Sequence, residues 1–284
     1  MKIGFSFFWQ FVLGLNHPNK PRPWQVAIPD FNTALDEFEK YGISSVEIKL
    51  TEDTEMSLLG HVVDKLIDKG FQLTFHAPGR IHYPEGLPKF LNLLIEISRM
   101  VNKRFNFTPL WVIHSLHGDN PNREGVYRNN IDYLKQIVKA MKTVPAQFAL
   151  EILRNRSDSN RLHIGDSYSE ILKIINEVGD DDVGICWDFG HAFAMFERYL
   201  QDKFPPEEFL KKVVHCHVHD CRAQKTHLPL GFGRIPIEEY IQLLKKSGFS
   251  GILNLEIVPH KINDPENFMK YIEDNVKMIR NLIE

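Results

Sequence analysis

The sequence predicts an α/β protein folded as one (β/α)8 barrel spanning residues 1–284. Three observations lead there. Short apolar runs alternate with amphipathic, helix-like segments from end to end, and eight such runs are what this barrel requires. Six of the runs end in carboxylates or imidazoles: Phe75-His76, Ile113-His114, Leu150-Glu151, Trp187-Asp188, His215-Cys216-His217-Val218-His219-Asp220 and Leu255-Glu256. Polar residues at successive strand ends are expected where a barrel gathers a site at one rim. No Gly/Ser-rich or Pro-rich linker divides the chain.

The strands read at about residues 3–8, 45–50, 72–76, 110–115, 147–152, 183–188, 213–219 and 252–258. Helical stretches fall between them, at Asp36–Tyr41, Leu58–Asp68, Leu87–Val101 and Tyr127–Met141, with Pro265–Ile283 as the closing helix. Leu91, Leu94, Ile95 and Ile97 share one helical face, as do Ile131, Leu134, Ile137 and Val138. Gly42, Gly70, Gly179 and Gly248 stand where helices must stop before the next strand, the place for a left-handed cap. Two connections exceed what the plain fold needs. Residues 9–28, with Trp9, His17 and Trp24, predict a long irregular loop that acts as a lid; residues 153–167 carry Arg154, Arg156, Arg161 and His163. Both would lie on the rim that bears the strand-end ligands.

With 43% hydrophobic residues the chain can bury a full core, and 34 basic against 37 acidic residues give a net charge of −3. That balance disfavours nucleic acid as a partner, because phosphate-backbone binding calls for a basic face. The start, Met1-Lys2-Ile3-Gly4-Phe5-Ser6, runs into the first strand without signal-peptide architecture, and no apolar stretch approaches membrane length. Cys186, Cys216 and Cys221 form neither an even set nor a CxxC pair. A reduced, cytoplasmic setting without membrane contact is the expectation.

Strand parity supplies an internal check, since residues two apart share a face. Counting back from the proposed ligands puts Thr74, Val112, Ala149, Cys186, His215 and Asn254 in the lumen. The opposite parity puts Phe75, Ile113, Leu150, Trp187, Val218 and Leu255 beneath the helices. Glu151, Asp188, His217 and Glu256 then form a mixed carboxylate–imidazole set suited to a divalent metal: Mn, Mg, Co or Zn. His76 and His114 add imidazoles for a second ion sharing Glu151; His191 and His227 help hold a further ion or bind substrate. His215, His217 and His219 share one face. Of these, His215 reads as a buried, hydrogen-bonded lumen residue and His219 as support for a ligand. Asp220 either orients a ligand histidine or caps a turn, Cys186 fills the lumen, and Lys49 is either a substrate contact or a surface charge. Arg154 and Arg156 are candidates for recognising an anionic substrate. His82, His117 and His163 read as solvated rim residues, and His17, His61 and His260 as surface.

Taken in order, Phe75-His76-Ala77-Pro78, Val112-Ile113-His114, Leu150-Glu151, Cys186-Trp187-Asp188-Phe189-Gly190-His191-Ala192, His217-Val218-His219-Asp220, His227-Leu228-Pro229-Leu230-Gly231 and Leu255-Glu256 resemble the xylose isomerase-like barrel superfamily over essentially the whole chain. That superfamily includes sugar and sugar-phosphate isomerases and epimerases, and the endonuclease IV-type nucleases. The resemblance selects His217 from the three histidines. In the isomerase branch it implies one divalent metal on Glu151, Asp188, His217 and Glu256, with Glu151 and Glu256 as the proton-transfer pair acting on a small sugar-like substrate. In the nuclease branch it implies three zinc ions on His76, His114, Glu151, Asp188, His191, His217, His227 and Glu256. Here Lys225 stands where that cluster needs an aspartate, and Phe232 where a glutamate usually follows Leu-Gly. Both departures favour the isomerase/epimerase expectation over a zinc phosphodiester hydrolase. A barrel that keeps the metal and only binds a ligand is the third expectation.

Overall fold

Runs rich in Val, Ile, Leu and aromatic residues can be buried on both faces, which is what a parallel sheet under helices demands. The computed structural model describes every residue except 16–20, 80, 119–121 and 156–161, with backbone alone at 21 and 22. Among the described residues, eight parallel strands close into a barrel: β1 (Lys2–Phe8), β2 (Ser45–Lys49), β3 (Gln72–His76), β4 (Leu110–Ile113), β5 (Gln147–Glu151), β6 (Val183–Asp188), β7 (Val213–Val218) and β8 (Ile252–Leu255). Each pairs with its neighbours in chain order, and β8 closes on β1 through Lys2–Ile252 to Phe5–Leu255. β6 is buried at every position.

The two faces carry different cores. Val112, Ala149 and Cys186 form a small cluster in the lumen, while Phe75, Ile113, Leu150, Trp187, Val218 and Leu255 join the large cluster under the helices. The parity read from the sequence therefore holds around the barrel. Small lumen side chains leave room above them for the polar rim.

Helix ends follow local chemistry. Asp30 accepts the backbone N–H groups of Asn32 and Thr33 and starts the helix Phe31–Tyr41. Gly42, at φ 89°, ends it, and Gly70, Gly179 and Gly248 also take positive φ just past their helices. The stretch 9–28 departs from the irregular loop expected of it. It contains the helices Trp9–Val12 and Pro21–Ala27. Trp9 and Trp24 are buried, and the Trp24 ring lies 5.1 Å from that of Phe11 and 5.5 Å from that of Phe268. Packing of large aromatics against the barrel thus fixes the described part of the segment; His17 lies outside the described residues.

Two antiparallel pairs decorate the rim. Asp220–Arg222 pairs with Lys225–Leu228 after β7, and His117–Gly118 pairs with Leu162–His163. Among the described residues no helix is long and apolar enough to cross a membrane.

Candidate metal centre

Each strand delivers its polar side chain at its C-terminal end because the preceding residue of opposite parity is anchored outward in the core. His76, Glu151 and Asp188 are the last residues of β3, β5 and β6; His114 and Glu256 directly follow β4 and β8; His217 is the penultimate residue of β7. Glu151, Asp188, His217 and Glu256 each place one ligand-type atom within 4.8 Å of the others. All four are buried, at 2, 0, 0 and 5% exposure. Buried carboxylates at this density need cationic or hydrogen-bonding compensation.

That compensation comes partly from the surrounding imidazoles. Oε2 of Glu151 lies 3.3 Å from His76 Nε2 and 3.0 Å from His114 Nε2, while its Oε1 lies 3.2 Å from His191 Nδ1. Burial opposes ionisation of Glu151, but His114 and His217 hold its pKa well below the ordinary glutamate value. Asp188 accepts the His191 N–H at 2.6 Å, capping the helix Phe189–Glu197, and faces His219 Nε2 at 3.0–3.1 Å. Its carboxyl is held far down against burial, by His191 and His219. Burial opposes ionisation of Glu256, but the Lys49 ammonium paired with it, together with His217 and His227, holds its pKa well below the ordinary glutamate value. Lys49 is therefore no surface charge: its side chain is 16% exposed and belongs to the site.

The donor set fits a divalent cation. Nδ1 of His217 and Oε2 of Glu256 face each other at 3.1 Å, yet among the described residues each is a buried atom without an angularly sound hydrogen bond. Nδ1 of His217 also lies 3.7 Å from Glu151 and 3.8 Å from Asp188. Three carboxylates and an imidazole converging on one point form a hard, mixed oxygen–nitrogen set. His76, His114 and Glu151 form a second group of compatible geometry, and His191, His219 and His227 a third.

The third group has a different character. His219 Nδ1 accepts the N–H of His227 at 2.9 Å and its Nε2 faces Asp188, so both its ring nitrogens are engaged. The His219 and His227 rings stack at 4.3 Å, and burial with His219 alongside lowers the pKa of His227 to about 3. His219 thus supports Asp188 and His227, as expected of it. Asp220, left open between two roles, anchors turns: it accepts the backbone N–H groups of Cys221, Gly231, Gly233 and Ile235 at 2.7–3.1 Å. A Cβ on Gly233 would meet Asp220 at 2.2 Å, so only glycine fits that approach. Lys225 is exposed on the rim hairpin, and Phe232 is 48% exposed.

Above the tetrad opens a cavity of about 540 Å³, lined in part by Phe7, Trp24, Lys49, Arg154, His163 and Lys261. Arg154 is held there by donating to the Gln224 carbonyl at 2.6 Å. Arg156 and Arg161 lie outside the described residues. His163 and His260, expected to be solvated and surface respectively, both line this cavity. The reading of the sequence missed Glu47, which is fully buried in the lumen and bonded to His215 and His217. Its signal was the parity of Lys49, two residues on; as the middle residue of an apolar strand it carried no strand-end mark.

A family model described as xylose isomerase-like TIM barrel matches residues 35–282. Two uncharacterised proteins of Methanocaldococcus jannaschii are 26% identical over 155 residues and 28% over 101, covering 51% and 35% of this chain. The matches span about half and about a third of those relatives' own lengths, 49% and 35%. Solved structures share the fold. A xylose isomerase domain protein from Alicyclobacillus acidocaldarius superposes with TM-score 0.70 at 15% identity, covering 100% of this chain and 98% of that one. D-Psicose 3-epimerase with D-tagatose, from Clostridium cellulolyticum H10, gives 0.69 at 13% with 100% of both chains covered. An IolI protein with a zinc atom gives 0.69 at 17%, covering 100% and 98%.

Proposed function

The chain belongs to the xylose isomerase-like TIM-barrel family, and we propose that it is a divalent-metal-dependent isomerase or epimerase of a sugar or sugar-like hydroxy-carbonyl compound. One observation carries this reading. Two buried glutamates, Glu151 and Glu256, converge with Asp188 and His217 from strands that β6 and β7 separate. Reactions that move hydrogen next to a carbonyl need such a pair: one group takes the proton from carbon and another returns it. Glu151, Asp188, His217 and Glu256 would hold the metal, which when bound polarises hydroxyl and carbonyl oxygens beside it.

The remaining work falls to the protein's own groups. Glu151 and Glu256 are held ionised by their neighbours, so either can act as the base that abstracts the proton. The ammonium of Lys49 at Glu256 orients that carboxylate and offers a donor to a substrate oxygen. Phe7 and Trp24 give the cavity apolar walls and limit water above the pair. At about 540 Å³ it falls within the range of small-molecule sites. Its described lining includes Lys49, paired with Glu256, together with Arg154 and Lys261, polar groups of the kind that receive the oxygens of a sugar-like substrate. The structural neighbours named as sugar epimerases and the zinc-bearing IolI protein share this fold, and support the reaction class by likeness.

The test is exchange of the substrate's carbon-bound hydrogen with solvent deuterium over a panel of ketoses and aldoses, neutral and acidic. Glu256→Gln is expected to lower exchange by about 100-fold or more while a divalent ion still binds. Undiminished exchange in that variant would remove Glu256 from the proton transfer. A second reading, a zinc phosphodiester hydrolase, is favoured by one observation: His76 and His114 close a second metal-type group on Glu151. His114→Gln separates the two readings, since a hydrolase that uses this group loses its rate and the isomerase keeps most of its exchange.

A further inference from the structure

The lumen beneath the tetrad holds a carboxylate that the proton-transfer scheme does not use. Glu47 comes from the middle of β2, level with Ser6 and Thr74, and is 0% exposed. A buried carboxylate is costly unless hydrogen bonded. Its two partners are both imidazoles of β7. His215 Nε2 lies 3.0 Å from Oε2, and His217 Nε2 lies 3.1 Å from Oε1 and 3.1 Å from Oε2. The two rings stand 85° apart at 5.5 Å, edge to face, and both contact the one carboxylate.

We propose that Glu47 is a positioning residue: it accepts the Nε2–H of His217 and thereby fixes that ring with Nδ1 turned to Glu151, Asp188 and Glu256. An ionised carboxylate only accepts hydrogen bonds, so an imidazole nitrogen beside it must carry the proton. A neutral ring protonated at Nε2 leaves its lone pair on Nδ1, and that is the atom 3.1 Å from Glu256 and 3.7 Å from Glu151. Glu47 therefore selects both the tautomer and the rotation of the ligand. His215 Nε2 meets Oε2, an oxygen it shares with His217, and so gives the carboxylate a second anchor. The inference rests on the tetrad being the metal centre.

The experiment uses the full chain, stripped with chelator and titrated with Co²⁺ under competition from a chromophoric chelator. Glu47→Gln keeps the shape but can present a donor in place of an acceptor. It is expected to weaken Co²⁺ binding by about 10–100-fold and to shift the visible Co²⁺ band, with the melting temperature of the stripped protein maintained. Glu47→Asp, which keeps the acceptor, should recover part of the affinity. Wild-type affinity and spectrum in Glu47→Gln would overturn the proposal. So would a second Co²⁺ in the wild type that disappears in the variant, since Glu47 would then be a ligand. If Glu47→Gln does not fold, NMR of the wild type with isotope-labelled cadmium and histidine decides. Cadmium coupling at Nδ1 of His217 supports the proposal and coupling at Nε2 overturns it. A wild type that takes up no Co²⁺ at all sinks the tetrad itself, whereas binding that ignores Glu47 sinks only this inference.

Discussion

Lys49 shows how one residue changes meaning with its surroundings. On sequence it was a strand-end lysine with two readings; folded, it is the permanent cation beside Glu256 at the floor of the cavity. Removing it by Lys49→Met leaves a buried carboxylate short of its partner. The expected loss in chelated protein lies between the roughly 0–1 kcal/mol of an exposed pair and the roughly 3–5 kcal/mol of a fully buried one. Metal-loaded protein should lose less, because a cation on the tetrad takes over the compensation of Glu256. Chemical denaturation of both forms checks this, and equal losses would argue against a shared charge balance.

Among the elements, the segment after β7 carries the most specific geometry. Asp220 gathers four backbone N–H groups and so sets the path of the hairpin that presents His227 at φ 62°. Gly233→Ala is expected to displace this loop, since the added carbon would meet Asp220 at 2.2 Å. The predicted result is a rise in KM together with a fall in melting temperature, read by kinetics and calorimetry; a variant with wild-type KM would show that the loop does not shape the site. Helix ends offer a control remote from the chemistry. Gly42 is left-handed and a Cβ there would meet Arg280, so Gly42→Ala should cost about 1 kcal/mol or more in stability with proton exchange intact.

Across the whole molecule, the proposed metal centre ties stability to cation binding if the tetrad holds the ion. A cation that binds only the folded state raises the melting point by mass action, so chelation should lower it and readdition restore it. The metal-free barrel should also respond to pH. Burial works against charge on His114 and His219, but Glu151 and Asp188 respectively raise their pKa values. A raised folded pKa contributes stability that is full below the unfolded value, about 6.5, and is lost as pH rises through the folded value. Chelated protein should therefore melt lower at about pH 9 than at about pH 6. His227 and His215, whose pKa values burial lowers, work the other way, so the assignment is read from His114→Gln: loss of part of the slope supports the His114–Glu151 pair, and an unchanged slope would mean that pair does not form in solution.

The sequence by itself determined the strand and helix order, the four glycine caps, the lumen parity and the polar residues at the strand ends, because each is written in local periodicity or in a residue with a backbone requirement. His76, His114, Glu151, Asp188, His217 and Glu256 were legible for the same reason: they sit at the ends of apolar runs. What only the tertiary structure decided are the partnerships across the barrel. Glu47 with His215 and His217 spans 168 and 170 residues, and Lys49 with Glu256 spans 207. Trp24 packs on Phe268, and so a stretch that looks like an irregular loop becomes in part a helix on the barrel. No local pattern encodes such contacts, since barrel closure alone brings strands distant in sequence to face one another across the lumen and gives a mid-strand carboxylate its imidazoles.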